Sequence, residues 1–338
     1  MSSQSGKSAF LSNLGASVGG VLLFATLFEA GLRLVDFYGL VDIWEERRVA
    51  LNDSIWMKHY NPDLLYTHRP DYYKEGIRYT ERGGILRPDD VAEQSDPGTF
   101  RIAVLGDSVV AAIKLSYRER VFTQLENLIN QNSPLHSVEI LNFGVDGYSS
   151  LQEATLLGVL VDSYAPDMLV LQYCMNDFYP SERPGAWFRE HSSIYVIDLT
   201  EDLMERYRAI GYPTKADYWK ELYRDDEEGW RNIETGFTRI ARYAADHEIP
   251  ALLVIFPLVS TEGWYAGEAV ERHRRVAALG QQKGFRVVDL LPVYAEYDIA
   301  TFRFGPSDTF HPNALGHRIA AEAIGNWFRD HKPWEIRP

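Results

Sequence analysis

Five short apolar runs, spaced by stretches of helical periodicity, constrain this chain more than any other feature. They cover 100–105, 137–143, 168–173, 251–256 and 286–291. Each is too short for a core helix, and most read apolar on consecutive positions rather than on alternate ones. Such strands are buried on both faces, which is the condition of a parallel sheet covered by helices. Between the first two runs, Val121, Leu125, Leu128 and Ile129 share one helical face. Ser116-x-x-Glu119 reads as the capping box that starts this helix, and Ser150-x-x-Glu153 as the one that starts the next, over 150–163. Further helices are expected at 230–247, 268–283 and 313–330. The alternation places the chain in the α/β class, with a five-stranded parallel sheet.

Ahead of the sheet, Ala9 to Phe28 is a twenty-residue run without a charge, bracketed by Lys7 and Glu29 after a short arm over 1–8. As a helix it would reach about 30 Å, enough to span a bilayer. A membrane anchor is the expectation; a cleaved signal peptide and a buried core helix are the other readings. Gly15 and Gly19 form part of a small-residue stripe suited to helix–helix self-association. Basic residues flank both ends, so charge does not fix the orientation. Residues 29–98 are rich in aromatics (Trp44, Trp56, Tyr60, Tyr66, Tyr72, Tyr73, Tyr79) and are expected to pack on the catalytic domain over 99–331. An insertion over 180–229 breaks the strand–helix rhythm after the third run and reads as a lid.

The formal charge of −14 argues against a nucleic-acid partner, since phosphate binding needs a basic face. A single cysteine, Cys174, allows no intrachain disulfide. The histidines are scattered, and His311 and His317 do not stand at a helical metal-ligand spacing. No Gly-rich nucleotide loop is present. The expectation is therefore no cofactor and no metal.

What remains is chemistry by side chains. Ser108 follows the first strand in Gly106-Asp107-Ser108, at the carboxyl end where open α/β sheets place their sites. His311 follows Asp308 by three residues and precedes Pro312. An aspartate so placed can orient the imidazole through one ring nitrogen, leaving the other to take a proton from a serine. Asp289 and Asp177 are the competing orienters. At a helix start the Ser108 N–H is free to face a developing oxyanion. Gly144 after the second strand and the Asn176 side-chain amide after the third are candidate further donors. Cys174 reads as a buried apolar residue, and Asp107 as the group that fixes the nucleophile turn.

These blocks resemble the SGNH hydrolase superfamily, the GDSL-type esterases and lipases. Gly106-Asp107-Ser108 matches its first block, Gly144 its second, Asn176-Asp177 its third and Asp308-x-x-His311-Pro312 its fifth. The resemblance covers 99–331 and implies a flavodoxin-like three-layer α/β/α sandwich. It also implies a Ser108–His311–Asp308 triad, an oxyanion hole of Ser108, Gly144 and Asn176, and no cofactor. Two departures stand out: Cys174 occupies a place usually held by glycine, and Val109 to Ala112 lack the usual Thr and Gly. The layout is also similar to membrane-anchored members encoded among bacterial exopolysaccharide genes. That likeness implies an extracytoplasmic catalytic domain acting on an envelope glycan.

Three functions follow as expectations. The first is a serine esterase that removes short acyl groups, O-acetyl foremost, from a glycan or related ester. The second is an O-acyltransferase using the same triad on a polysaccharide acceptor. The third is a non-catalytic, membrane-tethered binding module.

Overall fold

The computed structural model describes residues 19–31, 91–132, 137–175, 177, 224, 228–259, 268–305, 308 and 310–335, with shorter stretches between 56 and 87. Nearly all of the 180–229 insertion, and Asn176, lie outside the described residues. The chain divides into two compact units: 1–54 with 182–217, and 55–181 with 218–338.

In the first unit the described part is a helix over 19–31, whose Val21, Leu22, Leu23, Phe24 and Leu27 are all exposed. Among the described residues no helix is long and apolar enough to cross a membrane. The first half of the uncharged run, Gly15 included, lies outside the described residues.

The second unit is built on five parallel strands: β1 (Thr99–Leu105), β2 (Ser137–Asn142), β3 (Met168–Cys174), β4 (Ala251–Phe256) and β5 (Arg286–Asp289). Their order in the sheet is β5-β4-β3-β1-β2. Chain direction of travel therefore reverses between β2 and β3, and the crevice this opens sits at the carboxyl end of β1. Every residue of β3 and β4 is buried, as the unbroken apolar runs require.

Helix α1 (Ser108–Ala111) is a single turn directly after β1, and α2 (Val121–Asn132) follows it. Helices α3 (Ser150–Val159), α4 (Glu228–Asp246) and α5 (Glu268–Lys283) come next. The short α6 (Leu291–Tyr294) and the terminal α7 (Ala314–His331) complete the unit. Helix α2 packs with α7, and α3 packs with α4, which also touches α5.

Three expectations shift by small, explicable amounts. The Ser116–Glu119 capping box is present, but it caps a 3-10 turn over Tyr117–Glu119. Arg120 then turns extended (ψ 141°), and α2 starts afresh at Val121. Its first N–H is taken by His317 Nδ1 of α7 at 3.1 Å, so a side chain two hundred residues away replaces the missing local cap. The second box is Ser149 with Gln152, one residue earlier than expected. Glu153 is thereby released from capping and turns into the interior. The fifth strand stops at Asp289 because its carboxylate accepts from Leu291 N at 2.9 Å, starting α6.

The segment before the sheet contributes short antiparallel strands, Trp56–Lys58 with Tyr66–His68, and Tyr73–Lys74, Ile77–Tyr79 and Leu86–Arg87 in a second small sheet. Leu64 is fully buried in the main core and its carbonyl accepts from Gln152 Nε2 at 3.2 Å. Arg101 of β1, only 2% exposed, ties several elements to the amino edge of the sheet. Its Nε donates to Glu139 Oε2 at 2.8 Å, and Nη1 to the carbonyls of Glu93 (2.6 Å) and Tyr164 (2.8 Å). Its Nη2 donates to the Ala92 carbonyl at 3.0 Å.

Candidate active site

Ser108 is the first residue of α1, where the chain leaves β1. Asp107 caps the turn: its Oδ1 accepts from Val109 N at 2.9 Å. The nucleophile's own N–H has no acceptor among the described residues, as its position at a helix start dictates. Helix α1 ends after one turn because Ala112 takes the left-handed conformation (φ 46°), which releases the loop toward Lys114.

His311 comes from the far end of the chain, just ahead of α7. The start of that helix is fixed by Asn313, whose Oδ1 accepts from Leu315 N (3.0 Å) and Gly316 N (3.3 Å). A bridge between Arg303 and Pro312 ties the same segment to the loop before it. His311 Nε2 lies 2.9 Å from Ser108 Oγ, across 203 positions of sequence. Its Nδ1 lies 2.9 Å from Asp308 Oδ1 and 3.1 Å from Oδ2. The tautomer that satisfies both sides carries its proton on Nδ1, leaving Nε2 to accept from the serine hydroxyl.

Asp308 also receives two backbone N–H groups on Oδ1, from Phe310 (3.2 Å) and His311 (3.0 Å). On Oδ2 it receives Lys114 Nζ at 2.8 Å. Burial pushes its carboxyl up, but the Lys114 hydrogen bond, the His311 N–H and the imidazole together outweigh this and hold it at about 2. It is ionised at any working pH. The two competing orienters are engaged elsewhere: Asp289 faces His273 Nδ1 at 2.7 Å, and Asp177 Oδ2 accepts from Cys174 N at 2.7 Å.

The expected oxyanion donors fare unequally. Gly144 lies against α1, and a Cβ there would meet Ala111 N at 2.5 Å and Val110 Cβ at 2.6 Å. Its N–H, however, donates to Asn142 Oδ1 at 2.9 Å, while Asn142 Nδ2 donates to the Val110 carbonyl at 2.8 Å. A strand-end asparagine thus occupies this N–H, and serving an oxyanion requires it to be shared or released. Asn176 lies outside the described residues.

Sequence reading missed a buried polar nest beneath the nucleophile turn. Asp107, Ser150, Glu153, Gln172 and Asp177 are all fully buried. Both Glu153 oxygens, both ends of the Gln172 amide, Asp177 Oδ1 and Ser150 Oγ lack a hydrogen-bond partner among the described residues. Burial, and then the Asp107 charge, push the Glu153 carboxyl well above the usual carboxylate range. Burial, Glu153 and Asp107 do the same to Asp177, against the lowering by the Cys174 N–H. Both carboxyls therefore hold their protons more tightly than a solvent-exposed acid does. Asp146, in the Gly144 loop, is pushed up to about 7 by burial and Asp107, against Arg120 and Lys114. His317 is driven down to about 3 by burial, then by Arg120, so the imidazole that caps α2 is neutral and free to accept. The nest was hidden because Glu153 matches a helix cap in sequence and Gln172 sits in an apolar run.

The arrangement can take the Ser108 proton onto His311 while Asp308 stabilises the imidazolium, the sequence of events in acyl transfer by a serine. A group of three or more metal-binding side chains is absent among the described residues.

No curated protein matches the chain. Solved structures similar to it include an acetylxylan esterase from Geobacillus stearothermophilus, at 14% identity and a TM-score of 0.45, covering 68% of this chain and 93% of that one. Another is an acetyl xylan esterase, AlAXEase, at 15% identity and 0.44, covering 68% and 99%. A two-domain esterase active on acetylated mannans matches at 17% and 0.45, covering 71% and 51%. The model of the GDSL-like lipase/acylhydrolase family matches residues 104–319, from the end of β1 into α7. That span is well over half of the chain and holds Ser108, Asp308 and His311; the protein belongs to the GDSL-like lipase/acylhydrolase family and is a carboxylic ester hydrolase.

Proposed function

We propose that the protein removes a short acyl group, O-acetyl foremost, from a glycan through an acyl-Ser108 intermediate. The observation that carries the mechanism is the unbroken line Ser108 Oγ, His311, Asp308, with 2.9 Å at each step. Ser108 attacks the ester carbonyl as its proton passes to His311 Nε2. The tetrahedral oxyanion meets the Ser108 N–H, with Asn176 and a released Gly144 N–H as the further donors. His311 returns the proton to the departing alcohol, and then activates the water that frees Ser108. A glycan alcohol is supported by the rim. The Phe304 ring is exposed beside Lys114, the partner of Asp308, and offers an aromatic face to the apolar side of a sugar. An anchor over 9–28 belongs to the same proposal, supported by the uncharged run and the exposed apolar residues of the helix over 19–31; an extracytoplasmic catalytic unit is part of that proposal and rests on the likeness to envelope-acting anchored members alone.

The test is Ser108→Ala in the full-length chain, assayed on p-nitrophenyl acetate and on acetylated oligosaccharides with the products weighed. The expected result is loss of acetate release by at least about 10³-fold with the fold retained. Undiminished hydrolysis refutes the serine mechanism. Acetyl groups that pass to a second glycan instead of to water make the protein a transferase.

A further inference from the structure

Lys114 stands where a triad has no requirement for a cation. It lies in the loop released by the left-handed Ala112, so the turn that presents Ser108 also delivers this ammonium to the acid, 194 residues later in the chain. Asp308 divides its two oxygens. Oδ1 serves the His311 ring and two backbone N–H groups, while Oδ2 takes Lys114 Nζ at 2.8 Å and the ring at 3.1 Å. The Lys114 side chain is 55% exposed and that of Asp308 14% exposed, so the pair stands at the mouth of the site rather than in the core. The ammonium also lies 5.8 Å from the centre of the Phe304 ring.

We propose that Lys114 is a positioning residue that sets the acid limit of ester hydrolysis, by competing with the His311 imidazolium for Asp308. The proposal rests on the reading of Ser108 and His311 as nucleophile and base. As the Ser108 proton passes to Nε2, the ring gains a full positive charge that Asp308 stabilises. A second cation on the same carboxylate opposes that charge. It keeps the ring available as a base at lower pH and makes the imidazolium a better acid toward the departing alkoxide. The other charged or titratable groups around the site are Asp107, Asp146, Arg120, Arg303 and the neutral His317. Asp146 is pushed up to about 7 by burial and Asp107. It is common to every variant below, so only differences between variants are read.

The experiment compares full-length wild type, Lys114→Met and Lys114→Arg by kcat/KM on p-nitrophenyl acetate across pH, with fluorophosphonate labelling of Ser108 as a check on folding. For Lys114→Met the acid limb is expected to move up by about half a unit at low ionic strength. That gap should shrink in about 1 M salt, where charges this exposed are screened. Lys114→Arg, which keeps the charge, should keep the wild-type limb. A uniform fall in kcat/KM with the limb unmoved would overturn the proposal and leave Lys114 as a brace. So would an equal shift in both variants. A wild type that neither hydrolyses the ester nor labels at Ser108 would overturn the ester-hydrolase reading, and the proposal with it.

Discussion

Replacing Glu153 by Gln should stabilise this protein near neutral pH, and the gain should grow with pH. Glu153 is fully buried, neither of its oxygens finds a partner among the described residues, and burial and Asp107 hold its carboxyl well above 4.5. The sign follows from proton counts. Above 4.5 the unfolded chain gives up this proton while the folded chain keeps it, so the native state binds more protons and loses stability as pH rises. The loss ends only where the folded group itself ionises. One unit corresponds to about 1.4 kcal/mol, so the interval from 4.5 to neutral pH is an upper limit of about 3 kcal/mol for one carboxyl. Gln removes this dependence. Its amide must find acceptors among neighbours such as Asp177 Oδ1, which also lacks a partner, and imperfect pairing takes back about 1 kcal/mol. The expected net effect is a gain of up to about 2 kcal/mol near pH 7 and a loss of about 1 kcal/mol near pH 4, where only the pairing cost remains. Urea unfolding of wild type and E153Q at several pH values reads it directly. Parallel stability curves, with a constant offset or none, would show that Glu153 ionises freely inside the fold and would refute the reasoning.

Two further outcomes follow from packing. Gly144→Ala places a Cβ at 2.5 Å from Ala111 N and 2.6 Å from Val110 Cβ, so α1 must shift. A destabilisation of about 1–3 kcal/mol is expected by urea titration, with a fall in kcat because the same turn carries Ser108. Arg101→Met strands the Glu139 carboxylate and three carbonyls at the amino edge of the sheet. It should cost about 3–5 kcal/mol in the same assay, with kcat of the surviving folded fraction unchanged.

The sheet was legible because its strands are contiguous apolar runs, and burial on both faces writes itself into consecutive residues. Ser108, Asp308 and His311 were legible for a similar reason: each half of the constellation is local, and Asp308 stands three residues from the ring that it touches. What escaped reading depends on distance in the chain or on competition between neighbours. Ser149 and Ser150 are equal candidates for the cap. Only the packing of α3 decides between them, and that decision buries Glu153. Nothing in the sequence marks Lys114, since its partner is 194 residues away. The acceptor that Gly144 N–H meets, Asn142, was not legible because that residue reads as the end of a strand.

The 203 positions between Ser108 and His311 also have a temporal meaning. At ribosomal rates of about 5–20 residues per second, the hydroxyl is made some 10–40 s before the imidazole that awakens it. Throughout that interval the nascent polypeptide holds a dormant alcohol. Hydrolytic power cannot precede His311, so turnover reports that synthesis has passed that residue and that the two distant segments have folded together.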